Sequence, residues 1–392
     1  MSPGLRPTGR QENTTAPEKA LVLRRVAFLI PGGIALIAGL DAALLLLGLP
    51  APLTTERLPL IHAPLMVFAF IGTLVVLERA VAARRWWGFT SPAAMGLGGI
   101  ALVSPLPLAV GQAGIVFGFV ALLGVYRVVW LRQSSMAIAL QVLGALSGLA
   151  AATLWLSGVV VPLLIPGMAA FLVLTIVGER LELARVSPTV NETVERLALT
   201  CGVALTVTAP AATLWPAVGY PLYGAAMLLL VGWLFRYDVA TRLVNSTGLA
   251  RYMAVCLLTG YCWLLVAGGI WLVGGAITSG PGYDAVVHSV FLGFVMSMIM
   301  AHAPVILPAV IRRPLPYRWF LYIPVALLHA SLALRVLGGD AYGNAHLVQW
   351  GGSLNITAVL LFVVLAVSSA IAGPPKTAAG QGDILSDSGV KQ

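Results

Sequence analysis

Two histidines in separate apolar stretches are the residues of this chain best placed to do chemistry. His62 lies in LPLIHAPLMVFAF and His288 in YDAVVHSVFLGFVMSMIM. If both stretches cross a bilayer as helices, each histidine falls on the order of 5–10 Å inside the same boundary. Two neutral imidazoles at matched depth on different helices suit bis-histidine ligation of a haem, because the axial nitrogens must face each other across one iron. Met66, Met296, Met298 and Met300 supply soft apolar surroundings against which such a ring would pack. Haem b is therefore the expected cofactor, with His62 and His288 as its ligands.

Other ionisable groups at membrane depth are few, and each is costly enough to be a functional candidate. Asp41, in IAGLDAALLLL, sits near the depth of His62, and Asp284 lies one turn before His288 on the same helical face. Either carboxylate could orient an imidazole through its second N–H, hold a haem propionate through water, or form part of a proton route. His302 is about 21 Å further along the helix than His288, so the two cannot share a metal. A copper site would have to be drawn from His302, His329 and His346.

The elements that must position these groups follow from composition. Hydrophobic residues make up 59% of the chain and charged residues 9%, against roughly 25% charged in soluble domains. Such a chain is expected to be all-α and to have lipid as its solvent, each crossing taking about 20 apolar residues. Twelve apolar runs qualify, near 25–49, 58–79, 89–107, 109–131, 136–156, 158–178, 196–215, 219–236, 252–275, 284–310, 319–337 and 347–372. Residues 1–23 and 373–392 read as disordered cytoplasmic leader and tail around a single transmembrane domain, 24–372. Cys201, Cys256 and Cys262 have no pairing pattern that suggests a disulfide framework.

Charge then gives orientation. Of the 23 Lys and Arg residues, all but Arg57 and Arg335 fall on one side when loops are taken alternately. By the positive-inside rule that side is the cytoplasm, which puts both termini inside a cytoplasmic (inner) membrane. The net charge of +9 is thus an orientation signal and not a nucleic-acid footprint. A weak repeat accompanies it. Span 2 ends FIGTLVVLERAVA and span 6 ends FLVLTIVGERLELA, and Arg127 of span 4 aligns with Arg236 of span 8. Three four-helix units are the expected arrangement.

Span 2, with His62 at its outer end, Met66 four residues on and an aromatic-rich continuation, resembles the second helix of haem-copper oxidase catalytic subunits. In that family such a histidine ligates the low-spin haem and its partner comes from the tenth helix, where this chain has His288. Twelve helices in three units of four is also that architecture. The smaller NnrS-like proteins, with twelve spans and haem or copper linked to nitric-oxide metabolism, look like the nearer comparison. The oxidase copper ligands have no counterpart. Spans 6 and 7 lack histidine, and Ser289 and Val290 follow His288.

The resemblance implies a haem protein, in oxidoreductase territory, engaged in electron transfer or in handling nitric oxide or oxygen, without a standard binuclear centre. Quinol, another redox subunit or the gas itself would be its partner, since no CxxCH motif or nucleotide-binding loop is present. The competing expectation is a cofactor-free, proton-coupled secondary transporter using Asp41, Asp284 and His302. Its helix breaks would fall at Pro304/Pro308 and Gly351/Gly352.

Overall fold

A computed structural model describes residues 16–185, 190–311 and 315–373. Within them the chain is helical from end to end and carries no strand. The helices are α1 (Ala16–Leu46), α2 (Arg57–Ala83), α3 (Thr90–Val103), α4 (Leu108–Arg132), α5 (Met136–Leu156), α6 (Val161–Ala184), α7 (Glu192–Leu214), α8 (Pro216–Tyr237), α9 (Gly248–Gly274), α10 (Gly280–Pro308), α11 (Trp319–Tyr342) and α12 (Ala345–Ala372). Eleven are long and apolar enough to cross a membrane, so the protein is a multi-pass membrane protein that contacts lipid.

The exception is α3, expected over 89–107. It is cut short because Ser104 turns extended and Pro105 and Pro107 follow. A 3₁₀ turn, Trp86–Phe89, leads into it. It still runs antiparallel to α4 for most of that helix's length. A Cβ on Gly88 would meet Val125, Ser91 Oγ donates to the Gly118 carbonyl at 2.8 Å, and a Cβ on Gly98 would lie 2.9 Å from the Gly111 carbonyl oxygen. Close backbone approach through small residues is how helices associate where lipid removes the hydrophobic drive.

One boundary differs from expectation at the start of the chain. α1 begins at Ala16, inside the stretch 1–23 read as leader, with Pro17 at its first turn. The remaining leader, the tail beyond residue 373, and Arg312 and Arg313 lie outside the described residues.

Three helices form the centre. The most apolar windows of α2, α6 and α10 are 72%, 78% and 72% buried, whereas no other span exceeds 56%. Each is the second helix of a group of four, and α2 touches α6 while α6 touches α10. Within α1–α4 and within α5–α8 the same neighbours pack, first on second and third, second on third and fourth, third on fourth. The groups join tail to head, α4 on α5, α8 on α9 and α12 on α1. The three four-helix units are present as a pseudo-threefold ring around α2, α6 and α10.

The two central helices that carry the histidines are not wound as α-helix throughout. α2 opens into a π-helical stretch over Leu65–Gly72 and α10 over Ser289–Met296. α6 has neither a histidine nor a π stretch. A third π stretch, Leu334–Gly339, lies in α11. By contrast, the helix runs unbroken through Pro304 and Pro308, and α12 through Gly351 and Gly352. The breaks that a transporter was expected to show at those positions are absent.

Candidate functional site

His62 and His288 line one cavity. Its walls come from α1 (Leu40, Ala43) and Leu47 just after it, α2, α10, Arg335 of α11, and α12 (Gly352, Asn355, Ile356, Val359). α2 contributes His62, Ala63, Met66, Val67 and Ile71, and α10 contributes Val287, His288, Phe291, Leu292 and Met296. The two sets have the same spacing, n, n+1, n+4, n+5 and n+9, so the facing walls are built alike. The cavity is a narrow slot. Its volume is about 60 Å³, and apart from His62, His288, Arg335 and Asn355 its lining is apolar.

Both imidazoles are held in the same way. His62 Nδ1 donates to the Gly39 carbonyl of α1 at 2.9 Å, and His288 Nδ1 donates to the Asp284 carbonyl at 2.9 Å. A carbonyl can only accept, so each Nδ1 carries a proton, and in a neutral ring Nε2 is then the nitrogen with the lone pair. A Cβ at Gly39 would lie 2.4 Å from Met66 Sδ, so a larger residue there would require the Met66 side chain to move.

Asp284 does orient its histidine, with Oδ1 3.2 Å from His288 Nδ1, and it is held in turn by Arg335 through paired 2.7 Å bonds from Nε and Nη2. Sequence reasoning missed Arg335, which stood out only as one of two basic residues on the wrong side. It also missed Asp340, which lines a second cavity together with Asp284. That cavity, also lined by His346, is wider, about 460 Å³, and meets the slot at Leu47. The Asp284–Arg335 pair is thus the partition between the slot and this vestibule.

Asp41 has a different task from the one expected. Its Oδ2 accepts the Leu53 N–H at 3.0 Å, fastening the loop between α1 and α2, while Oδ1 has no partner. The Gly39 carbonyl, not Asp41, orients His62.

The proposed copper set does not assemble. His329 accepts from Trp263 Nε1 at 3.0 Å on Nδ1, so its proton lies on Nε2, which contacts Thr259 Oγ1 at 3.0 Å and Ser297 Oγ at 3.2 Å. Both ring nitrogens are engaged. His346 is exposed at the start of α12. His302 donates from Nδ1 to the Met298 carbonyl at 2.8 Å, and its Nε2 is buried without a partner. Its charged surroundings are Arg180, Glu78 and Asp238, at the opposite end of the bundle from the slot. Among the described residues no three of His, Cys, Asp and Glu come together in a metal-holding group.

That opposite end is where the two Glu-Arg pairs of the repeat meet. Arg79 donates to Glu78 at 2.6 Å, Glu179 at 2.9 Å and Gln141 at 3.2 Å. Arg180 makes a bidentate pair with Asp238, both bonds 2.7 Å. This network ties α2, α5, α6 and the end of α8 together and leaves the slot at the other end as the chemically free site.

Two histidines are a donor set that can hold a haem, and the lining around them, with Met66, Met296 and Phe291, is apolar. The Arg335 guanidinium beside them is paired with Asp284. A model of the family described as "Domain of unknown function (DUF8744)" matches residues 25–371, and the chain belongs to that family. No curated protein matches the sequence.

Proposed function

We propose that this family member is a haem-binding membrane protein that works in electron transfer, with the haem in the slot between α2 and α10. The observation that supports it is the pair of imidazoles, each held through Nδ1, that line one cavity. His62 and His288 would hold the iron, Gly39 and Asp284 would keep the rings in ligating tautomers, and Arg335 would face an acidic side chain. A haem bound there supplies one-electron redox chemistry. If His62 and His288 both held the iron, electron transfer would be favoured over direct binding of nitric oxide or oxygen. A quinol in the membrane or another redox subunit is the partner class this reading calls for. The distribution of basic residues supports a cytoplasmic membrane with the Glu-Arg end facing the cytoplasm.

The transporter reading has less support. Asp41 is occupied by a loop, Asp284 by an ion pair, and the expected helix breaks are continuous helix.

Visible spectra of the purified protein, oxidised and reduced, test the proposal. The expected result is a Soret band that sharpens and shifts on reduction, lost in His62→Ala and in His288→Ala and kept in His329→Ala. Protein without extractable haem, or a spectrum indifferent to both slot histidines, would overturn it.

A further inference from the structure

Away from the slot, a groove opens on the outside of the bundle between α4, α5 and α7. α4 supplies Leu123, Tyr126, Arg127 and Trp130, spaced n, n+3, n+4 and n+7 and so one stripe of that helix. Val142 and Leu143 of α5 and Leu199 and Val203 of α7 face it, and its volume is about 420 Å³. Gln141, next to Val142, accepts a bond from Arg79, so the groove lies at the Glu-Arg end. A hollow of about 160 Å³ continues it one turn on along the same two helices, where Leu146 follows Leu143 and Thr206 follows Val203. Trp130 and Val203 are exposed, so the groove opens toward lipid.

Charge sets this groove apart. Arg79, Arg180, Arg185 and Arg196, at the same end, are each paired with a carboxylate. Glu192 and Glu195, at the start of α7, are taken up in two of those pairs. Arg127 is exposed and, among the described residues, has no acidic partner. It is also the one charged residue of the groove lining. Arg127 stands five residues before Arg132, the last of α4, which is about 7.5 Å along the helix. From that depth a guanidinium on its long apolar stem reaches the lipid headgroups. Trp130, nearer the helix end, has the amphipathic ring that settles at the same level. An apolar trough at acyl-chain depth is thus joined to an unneutralised cation at headgroup depth.

We propose that the groove binds one anionic phospholipid, with an acyl chain lying along α5 and α7 and the phosphate facing Arg127. Lipid is the solvent of this face, so hydrocarbon fills the trough, and the uncompensated guanidinium selects a headgroup of net negative charge. The lipid touches α4 of the first four-helix unit and α5 and α7 of the second, and so fastens the seam between them. Neither the haem nor the orientation of the bundle enters into this site.

Native mass spectrometry of the protein released from micelles counts the lipids it keeps, with phosphatidylglycerol and phosphatidylcholine of identical acyl chains offered in turn. The expected result is one phosphatidylglycerol held about 5-fold more tightly than phosphatidylcholine, the value of one basic residue near an anionic surface. Arg127→Gln should abolish that preference, and Arg132→Gln, outside the groove lining, should keep it. Glycerol phosphate, which has the headgroup chemistry but no acyl chain, should not compete. An unfolding midpoint in SDS equal to that of the native protein without added lipid shows that each variant is folded. Equal retention of the two lipids, a preference that survives Arg127→Gln or is lost in Arg132→Gln as well, or displacement by glycerol phosphate would overturn the proposal. Dimeric protein that takes up no lipid would mean that a second copy fills the groove, and would overturn it too.

Discussion

The Arg180–Asp238 pair offers the sharpest energetic test of the architecture. The two side chains are 3% and 0% exposed, and Asp238 accepts two bonds from Arg180, one from Tyr261 at 3.1 Å and one from the Ala240 N–H at 2.7 Å. Arg180→Met removes two of the four donors and all of the counter-charge, leaving a carboxylate buried beside only two neutral donors. Breaking a buried pair from one side costs about 3–5 kcal/mol, and Asp238→Asn strands the guanidinium at similar cost. The double variant buries no charge and loses only part of the hydrogen bonding, so it should be less destabilised than the two singles together by at least about 2 kcal/mol. Equilibrium unfolding in mixed micelles with rising SDS measures all three. Effects that add to within about 0.5 kcal/mol would refute the claim that these groups form one buried unit. Some loss should reach the slot, because Tyr261 stacks near Phe294 in the π stretch of α10, ring centres 6.3 Å apart.

Gly351→Ala would place a Cβ 2.7 Å from Arg335 Cβ and 2.8 Å from its Cα and N, atoms that cannot step aside. Overpacking of about 1–3 kcal/mol is expected, read as a lower unfolding midpoint, whereas Gly269→Ala, whose Cβ meets nothing within 4 Å, should be silent. Asp41→Asn keeps an acceptor for the Leu53 N–H and should unfold like the native protein. Asp41→Leu removes that acceptor and should cost about 1–3 kcal/mol, with any bound pigment retained in both because Gly39 holds His62.

Hydropathy made the helices legible, but it read α3 as a full span where the chain turns extended at Ser104, and eleven of the twelve helices are long and apolar enough to cross. The common slot of His62 and His288 was legible from depth alone, because rise per residue is nearly independent of context. What depth does not give is rotation about the helix axis. Asp41 and Gly39 are two residues apart, and which of them faces His62 depends on how α1 is turned, so the carboxylate was the wrong choice and a backbone carbonyl the answer. Arg335 was hidden for another reason. Its partner Asp284 lies 51 residues away, and no local pattern joins them. His329 looked as available as His302 until Trp263, on a different helix, occupied its Nδ1.

The π-helical stretches carry a consequence for how the slot is phased. In an α-helix a residue nine positions on lies roughly half a revolution round, on the opposite face. Ile71 and Met296 are nine positions beyond His62 and Val287, yet they line the same wall as those residues. The wider winding over Leu65–Gly72 and Ser289–Met296 takes up the difference, each π turn absorbing residues that an α-helix would use to turn away. Were either stretch to wind as α-helix over the same residues, the histidine side would turn by roughly half a revolution relative to the rest of the span. The aim of each imidazole is thus set by the winding inside its helix as well as by its place in the sequence.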